Sequence, residues 1–170
     1  METEGISATA KSGIFIQKVL WCVFFMVSLV LFYVLYFVSS RGGDPDNSGV
    51  MPIDGPFLEI PFLIFPGDLL VIISLGLFFL MRSDSWLRKS CILRDGGVNE
   101  PLLLSSSFSL MVIALVVNEA IAVLGFTLGF LRKDLRVFLP FFIINIILNL
   151  LHYPRPRKLI ERARKLARRG

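Results

Sequence analysis

Four long runs of apolar residues, separated by short polar segments, organise this chain. The first covers residues 14–38, and positions 19–38 carry no charge at all. At a rise of ~1.5 Å per residue that is enough helix to cross about 30 Å of hydrocarbon. The run is too long for the apolar segment of a cleaved signal peptide, and Ser39-Ser40-Arg41 makes a poor cleavage site. It reads as a permanent signal-anchor helix, with Lys18 one turn inside its start and able to snorkel to the interface. Residues 39–56, rich in Gly, Pro, Asp and Ser, read as a loop.

The second run, residues 57–81, is interrupted by Pro61, Pro66, Gly67 and Asp68. The stretch from Asp68 to Met81 is too short to span alone. The pattern therefore predicts a helix from about residue 60, with Pro61 in its first turn and Pro66 as a kink. The alternative is an irregular, partly inserted segment over residues 60–67, which needs protein or water around it. Residues 82–101 read as a basic polar loop. The third run covers residues 102–131, with a spanning core over about 108–130. After a tight Arg132-Lys133-Asp134 turn, the fourth covers residues 135–153. A turn this short makes helices three and four an antiparallel hairpin. The expectation is an all-α membrane protein. Four transmembrane helices, spanning about 14–38, 60–81, 106–131 and 135–153, form two antiparallel hairpins in one domain over residues 1–153. Residues 154–170 form a basic tail.

Composition agrees with this patterning and removes other classes. Hydrophobic residues make up 55% of the chain and charged residues only 18%, whereas a soluble domain is about a quarter charged. Disorder, a disulfide scaffold and an ordinary soluble enzyme are excluded. Of the two cysteines, Cys22 lies in the first apolar run and Cys91 in the basic loop. That placement makes a disulfide geometrically unfavourable. One His and two distant Cys give no zinc spacing. No nucleophile elbow, phosphate loop or paired catalytic carboxylates appear, so neither a cofactor nor enzymatic activity is expected.

The net charge of +5 changes the picture through its distribution. With four spans, Lys11 and Lys18, four bases of the middle loop and eight of the tail share one side, 14 in all. Arg41, Arg132, Lys133 and Arg136 make 4 on the other, which accounts for all 18. The positive-inside rule then puts both termini in the cytoplasm of a cell (inner) membrane. The loop carrying Asp44, Asp46, Asp54 and Glu59 faces out. In the tail, Leu159, Ile160, Ala163, Leu166 and Ala167 recur at helical spacing among Arg157, Lys158, Arg162, Arg164, Lys165, Arg168 and Arg169. This is a basic amphipathic helix, expected to lie on anionic lipid headgroups. Nothing in it points to nucleic acid.

The few polar residues inside the spans are the candidates for function. Glu119 lies near the middle of the third, where a carboxylate costs about 3 kcal/mol on insertion scales. Such a residue faces the bundle interior, finds a partner or keeps its proton. Counting equal distances from the hairpin turn puts it level with residue 148 on the fourth helix, between Asn145 and Asn149. Those two are four apart on one face, and His152 continues the stripe. Amides facing a carboxyl across the hairpin would satisfy one another. Asp68 is expected as a second buried acid, though Pro66-Gly67-Asp68 also has the form of a helix cap. His152, beside Tyr153 and Pro154, reads as an anchor at the aqueous boundary. Gly125 and Gly129 form Gly-x-x-x-Gly, a close-packing face either within the chain or between copies in a homo-oligomer or larger membrane complex.

Glu119-Ala120, followed by an apolar stretch with Gly125, Phe126, Gly129 and Phe130, resembles the carboxyl-bearing helix of rotary ATP synthase c subunits. That likeness is confined to positions 118–130 and implies an ion-carrying carboxyl at Glu119. The c-subunit partner helix carries repeated glycines, whereas residues 14–38 contain none, so ring assembly is not implied. The hairpin as a whole, with its short basic turn and closing His152-Tyr153-Pro154-Arg155, also resembles small four-span bacterial membrane proteins of unknown function. That resemblance implies a fold and a location but no activity. The leading expectation is a structural or accessory bundle. The alternatives are a proton- or cation-translocating subunit using Glu119, and an anchor that recruits a cytoplasmic partner through its tail.

Overall fold

The computed structural model describes residues 8–41, 59–91, 98–132 and 134–168. The acidic loop with Asp44, Asp46 and Asp54, and Arg169 of the tail, lie outside these residues. The described chain forms six helices: α1 (Ala8–Arg41), α2 (Glu59–Arg82), α3 (Asp84–Cys91), α4 (Glu100–Arg132), α5 (Leu135–Leu151) and α6 (Pro156–Ala167). Three of them, α1, α2 and α4, are long and apolar enough to cross a membrane. A fourth span is obtained if α5 and α6, bent by 51° at their junction, are taken together.

α2 starts at Glu59 and continues through Pro66, so residues 60–67 are helical. Pro61 sits in the first turn, where its missing N–H has no intrahelical acceptor to lose. α4 begins at Glu100, earlier than the hydrophobic pattern indicates. Asn99 caps it, its side-chain Oδ1 accepting from the backbone N–H of Leu102 at 3.1 Å. Its 33 residues span about 50 Å, longer than the ~30 Å thickness of a hydrocarbon layer. α5 stops at Leu151, earlier than the expected end at residue 153. At its other end Asp134 Oδ1 accepts from Arg136 N at 2.8 Å, while Asp134 N donates to Gly129 O at 3.0 Å. One residue thus closes α4 and caps α5, which makes the tight hairpin.

α4 is the central helix and packs against α1, α2 and α5. Side-chain contacts give the directions. Gln17, Ser28 and Leu35 of α1 meet Leu104, Glu119 and Gly129 of α4, so those helices run parallel. Gly67 and Phe78 of α2 meet Phe141 and His152, so α2 runs parallel to α5. Only α4 and α5 form a packed hairpin. α1 and α2 point in opposite directions but scarcely touch among the described residues, each lying against the α4–α5 pair instead. The expectation of two hairpins is corrected in that respect: α4 supplies the mating surface for both outer helices.

Burial is arranged opposite to that of a water-soluble bundle. On α1 the buried side chains are Gln17, Ser28 and Leu35, which fall on one helical stripe, while Phe15, Val23, Val30 and Tyr33 are exposed. The inward face is therefore the more polar one. Contiguous exposed apolar surface of this extent needs an apolar surrounding.

The middle polar segment is not simply a loop. Residues 84–91 form α3, with Asp84 in its first turn and Arg88 and Lys89 in its last, favourable at the two ends of a helix dipole. Leu87 of α3 packs with Leu103 and Leu104 of α4 and with Ile160 and Ala163 of α6, flanked by Trp86, Val98, Leu159 and Leu166. This small core occupies the apolar face of α6. Arg162 pairs with Asp84, and Arg164 with Glu100, its Nε lying 2.9 Å from Oε1. The apolar face of the tail helix is therefore covered by protein, and its basic face is the one left outward. Leu87→Ala is expected to loosen α6 by about 2 kcal/mol, the low end for a buried leucine because the core is small and peripheral. Limited trypsin digestion measures it, with the many basic sites of α6 cut faster in the variant than in the parent.

Candidate functional site

The four long helices each carry an isolated polar side chain, or a pair, at a similar height. Ser28 and Glu119 stand equally far back from Arg41 and Arg132, the last residues of α1 and α4. Ser74 of α2 and Asn145 of α5 lie at comparable distances from Glu59 and Leu135, where those helices start. At ~1.5 Å per residue all lie about 15–22 Å from the same end of the bundle. Packing on α4 brings them into one layer, in which Ser28, Ser74, Asn118, Asn145 and Asn149 are fully buried and Glu119 is 9% exposed.

The layer is joined by a continuous chain of hydrogen bonds. Ser74 Oγ donates to Asn118 Oδ1 at 2.6 Å. Asn118 Nδ2 donates to Asn149 Oδ1 at 2.9 Å, and Asn149 Nδ2 to Asn145 Oδ1 at 3.1 Å. Asn145 Nδ2 donates to Ser28 Oγ at 2.7 Å, and Ser28 Oγ donates to Glu119 Oε1 at 2.7 Å. Hydrogen bonds thus link four helices, and every donor points along the chain toward the carboxyl. Aligned amide and hydroxyl dipoles reinforce one another where the local dielectric is low. The series of donors ends on Oε1. The second carboxyl oxygen, Oε2, is buried and accepts no hydrogen bond. Trp21 adds a brace from α1, its Nε1 donating to the backbone oxygen of Asn149 at 2.8 Å.

The residues expected from the sequence are brought together in part. Glu119, Asn145 and Asn149 share the layer: the Glu119 carboxyl accepts from Ser28 at 2.7 Å, the Asn149 amide also acts on it, and Asn145 stands one bond further on through Ser28. Asp68 is not in the site. It is exposed on α2, because Gly67, one position earlier, turns to the bundle with its Cα face against Phe141, and a helix advances ~100° per residue. The Pro66-Gly67-Asp68 segment is helix interior, not a cap. His152, expected at the aqueous boundary, ends α5 and is buried. It caps α5, 3% exposed, with its backbone N–H and its ring Nδ1 both on Leu148 O, at 3.0 and 2.8 Å. In the tail, Arg157, Lys158, Lys165 and Arg168 are described, while Arg162 and Arg164 are held by the ion pairs above.

Ser28, Ser74, Asn118 and Trp21 were not singled out from the sequence. Asn118 had a signal, being an amide beside Glu119 in an apolar run. The two serines had little, since a hydroxyl in a helix can bond its own i−4 carbonyl; Ser28 Oγ also lies 3.3 Å from Phe24 O.

Gly125 and Gly129 serve packing within the chain. A Cβ at Gly125 would come within 2.7 Å of Phe141 Cγ, and one at Gly129 within 2.7 Å of Leu35 Cδ2 and 3.0 Å of Phe138 Cβ. The two glycines thus let α5 and α1 approach α4 a few turns from the polar layer. No group of three or more metal-ligating His, Cys, Asp or Glu occurs among the described residues.

Comparison with protein families, curated proteins and solved structures returns no match, so neither resemblance noted in the sequence is accompanied by a family.

Proposed function

We propose that this chain is a multi-pass membrane protein of structural or accessory role. α1, α2, α4 and α5 cross the bilayer, and the buried polar layer fixes their mutual register. The carrying observation is the single hydrogen-bond chain that takes at least one side chain from each of the four long helices. In hydrocarbon, helices gain nothing from burying apolar side chains against one another, so interhelical hydrogen bonds and close small-residue contacts decide which faces meet. α5, with 17 residues, is at the short end of what spans. Asp134 and Arg136 mark one of its boundaries and Tyr153 the other. The 14-to-4 division of bases puts the α3–α6 end, and both termini, on the cytoplasmic side of the cell membrane.

A second reading, in which Glu119 carries a proton or cation, is favoured by one observation: Oε2 is enclosed and unpartnered, a place where a proton or ion would satisfy it. The replacement Glu119→Gln separates the two. Gln keeps an oxygen to accept from Ser28 but cannot ionise. On the structural reading the variant in micelles unfolds within about 1 kcal/mol of the parent, the size of one interhelical hydrogen bond. Proton and cation leak in reconstituted vesicles then stays at the parent level. Flux above that of empty vesicles in the parent, lost in the variant, would establish the carrier reading instead.

A further inference from the structure

At the α3–α6 end of the bundle, a cavity of about 250 Å³ opens between the ends of α1, α2, α4 and α5 and the start of α6. Its two ends differ in chemistry. The exposed side chains of Arg82, Arg155, Lys158 and Arg162 stand around its mouth, and no carboxylate lines it among the described residues. Arg162 is engaged by Asp84. Arg82, Arg155 and Lys158 have no acidic partner among the described residues. The Arg82 guanidinium is held in place, its Cζ 4.2 Å from the centre of the Phe78 ring, a stacking that orients its N–H fork without consuming it. The rest of the lining includes the apolar side chains of Met81, Met111, Leu151 and Leu159, with Gln17 and Ser107 as neutral polar groups. Arg82 ends α2 and Leu151 ends α5, so the cavity straddles the level where the apolar segments give way to water.

Three cations without an acidic partner among the described residues, gathered beside apolar side chains at that level, match an amphiphile with a negatively charged head. We propose that this cavity is a binding site for an anionic membrane phospholipid. The headgroup phosphate is held by Arg82, Arg155 and Lys158, and the glycerol and first acyl carbons lie against Met81, Met111 and Leu151. The cavity is smaller than the roughly 300 Å³ at which sites enclosing a whole small-molecule ligand begin, which suits a headgroup whose chains remain in the bilayer. Basic pockets between transmembrane helices on the cytoplasmic side have this chemistry. The proposal rests on the membrane reading above and goes beyond it. A diffuse attraction of the tail for anionic surfaces would use all the exposed bases of α6 alike, whereas this site uses three bases from α2, the linker and the start of α6.

The test is native mass spectrometry of the full chain in neutral detergent, with phosphatidylglycerol and phosphatidylcholine as probes. The parent retains phosphatidylglycerol about tenfold more strongly than phosphatidylcholine. Arg82→Gln/Arg155→Gln/Lys158→Gln abolishes that preference. Arg157→Gln/Lys165→Gln/Arg168→Gln removes the same charge from positions outside the cavity and keeps it. Equal loss in both triple variants, or retention in the first, overturns the site. Displacement of phosphatidylglycerol by millimolar inorganic phosphate also overturns it, since the ligand would then be a soluble anion. Lys158→Glu, a change at an exposed side chain, must reproduce the loss even if the first triple variant fails to fold, and retained preference in it counts against the proposal. Extraction of cell membranes with alkaline carbonate tests the membrane reading separately: release of the parent protein would defeat that reading whatever the lipid titration gives.

Discussion

Gly125→Leu is expected to separate α4 from α5 and to cost at least about 3 kcal/mol, the upper part of the range for overpacking. Even the alanine variant places its new Cβ against the Cβ of Phe141 and 2.7 Å from its Cγ. Both Cβ atoms are fixed to helical backbones, so no rotamer change relieves the contact and the helices themselves must move. Phe141 also faces α2, its Cε1 lying 3.1 Å from where a Cβ on Gly67 would stand. The ring is lodged in a slot between two glycines, one on α2 and one on α4. Displacing α5 also draws Asn145 and Asn149 away from Ser28 and Asn118, so the polar layer is lost with the packing. Gly76 is the internal control: nothing lies within 4 Å of a Cβ there. Gly76→Ala is therefore neutral or stabilising by up to about 1 kcal/mol through helix propensity. Unfolding in micelles by denaturing detergent, followed by circular dichroism, measures both. Equal midpoints for Gly125→Leu and the parent would mean that α4 and α5 do not approach as described.

Several features of this architecture were legible in the chain before its folding, for identifiable reasons. A carboxyl in an apolar run is so costly to leave unpartnered that Glu119 announces an interior face. The short turn after α4 fixes hairpin register, which is why Asn145 and Asn149 could be placed opposite it by counting. The amphipathic spacing of α6 is one-sided enough to identify its buried face as Ile160 and Ala163. What covers that face was not legible. It is covered by the start of α4 and by α3, a short helix that contributes Trp86 and Leu87 among the described side chains and is too brief for periodicity to reveal. Asp68 was misplaced for a related reason. α2 is apolar all round, so its sequence does not say which side turns inward. The deciding contact, Gly67 against Phe141, is a packing event between residues far apart in the chain. Ser28 escaped notice because a serine in a membrane helix is cheap to bury, and cheap residues carry little information about their surroundings. The same ambiguity explains why two hairpins were expected where only one packs: connectivity constrains which helices are antiparallel, but small residues and polar groups on α4 decide which ones touch.

The largest effect within the polar layer is expected from Asn149→Asp, a change of one atom and almost no volume. Asn149 is the central link. Its Oδ1 accepts from Asn118, its Nδ2 donates to Asn145 Oδ1, and its backbone oxygen accepts from Trp21. A carboxylate keeps the first of these bonds and cannot make the second. It sets an acceptor against the oxygen of Asn145 and leaves a second acid beside Glu119, with no cation in the layer among the described residues. Breaking a fully buried network so that a charge is left uncompensated costs about 3–5 kcal/mol. Asn149→Ala, by contrast, orphans Asn118 Nδ2 and Asn145 Oδ1 without adding charge. It should cost about 1–2 kcal/mol, since interhelical hydrogen bonds in membranes average well under 1 kcal/mol each. The ordering, Asp worse than Ala despite the closer shape, is what the direction of the chain requires: at this position the side chain must both accept and donate. Detergent-titrated unfolding of the two variants alongside the parent gives the comparison. If, at a pH alkaline enough to ionise the new carboxyl, the aspartate variant is as stable as the parent, or more stable than the alanine variant, Asn149 does not donate to Asn145, and the hydrogen bonds of the layer do not all run toward Glu119.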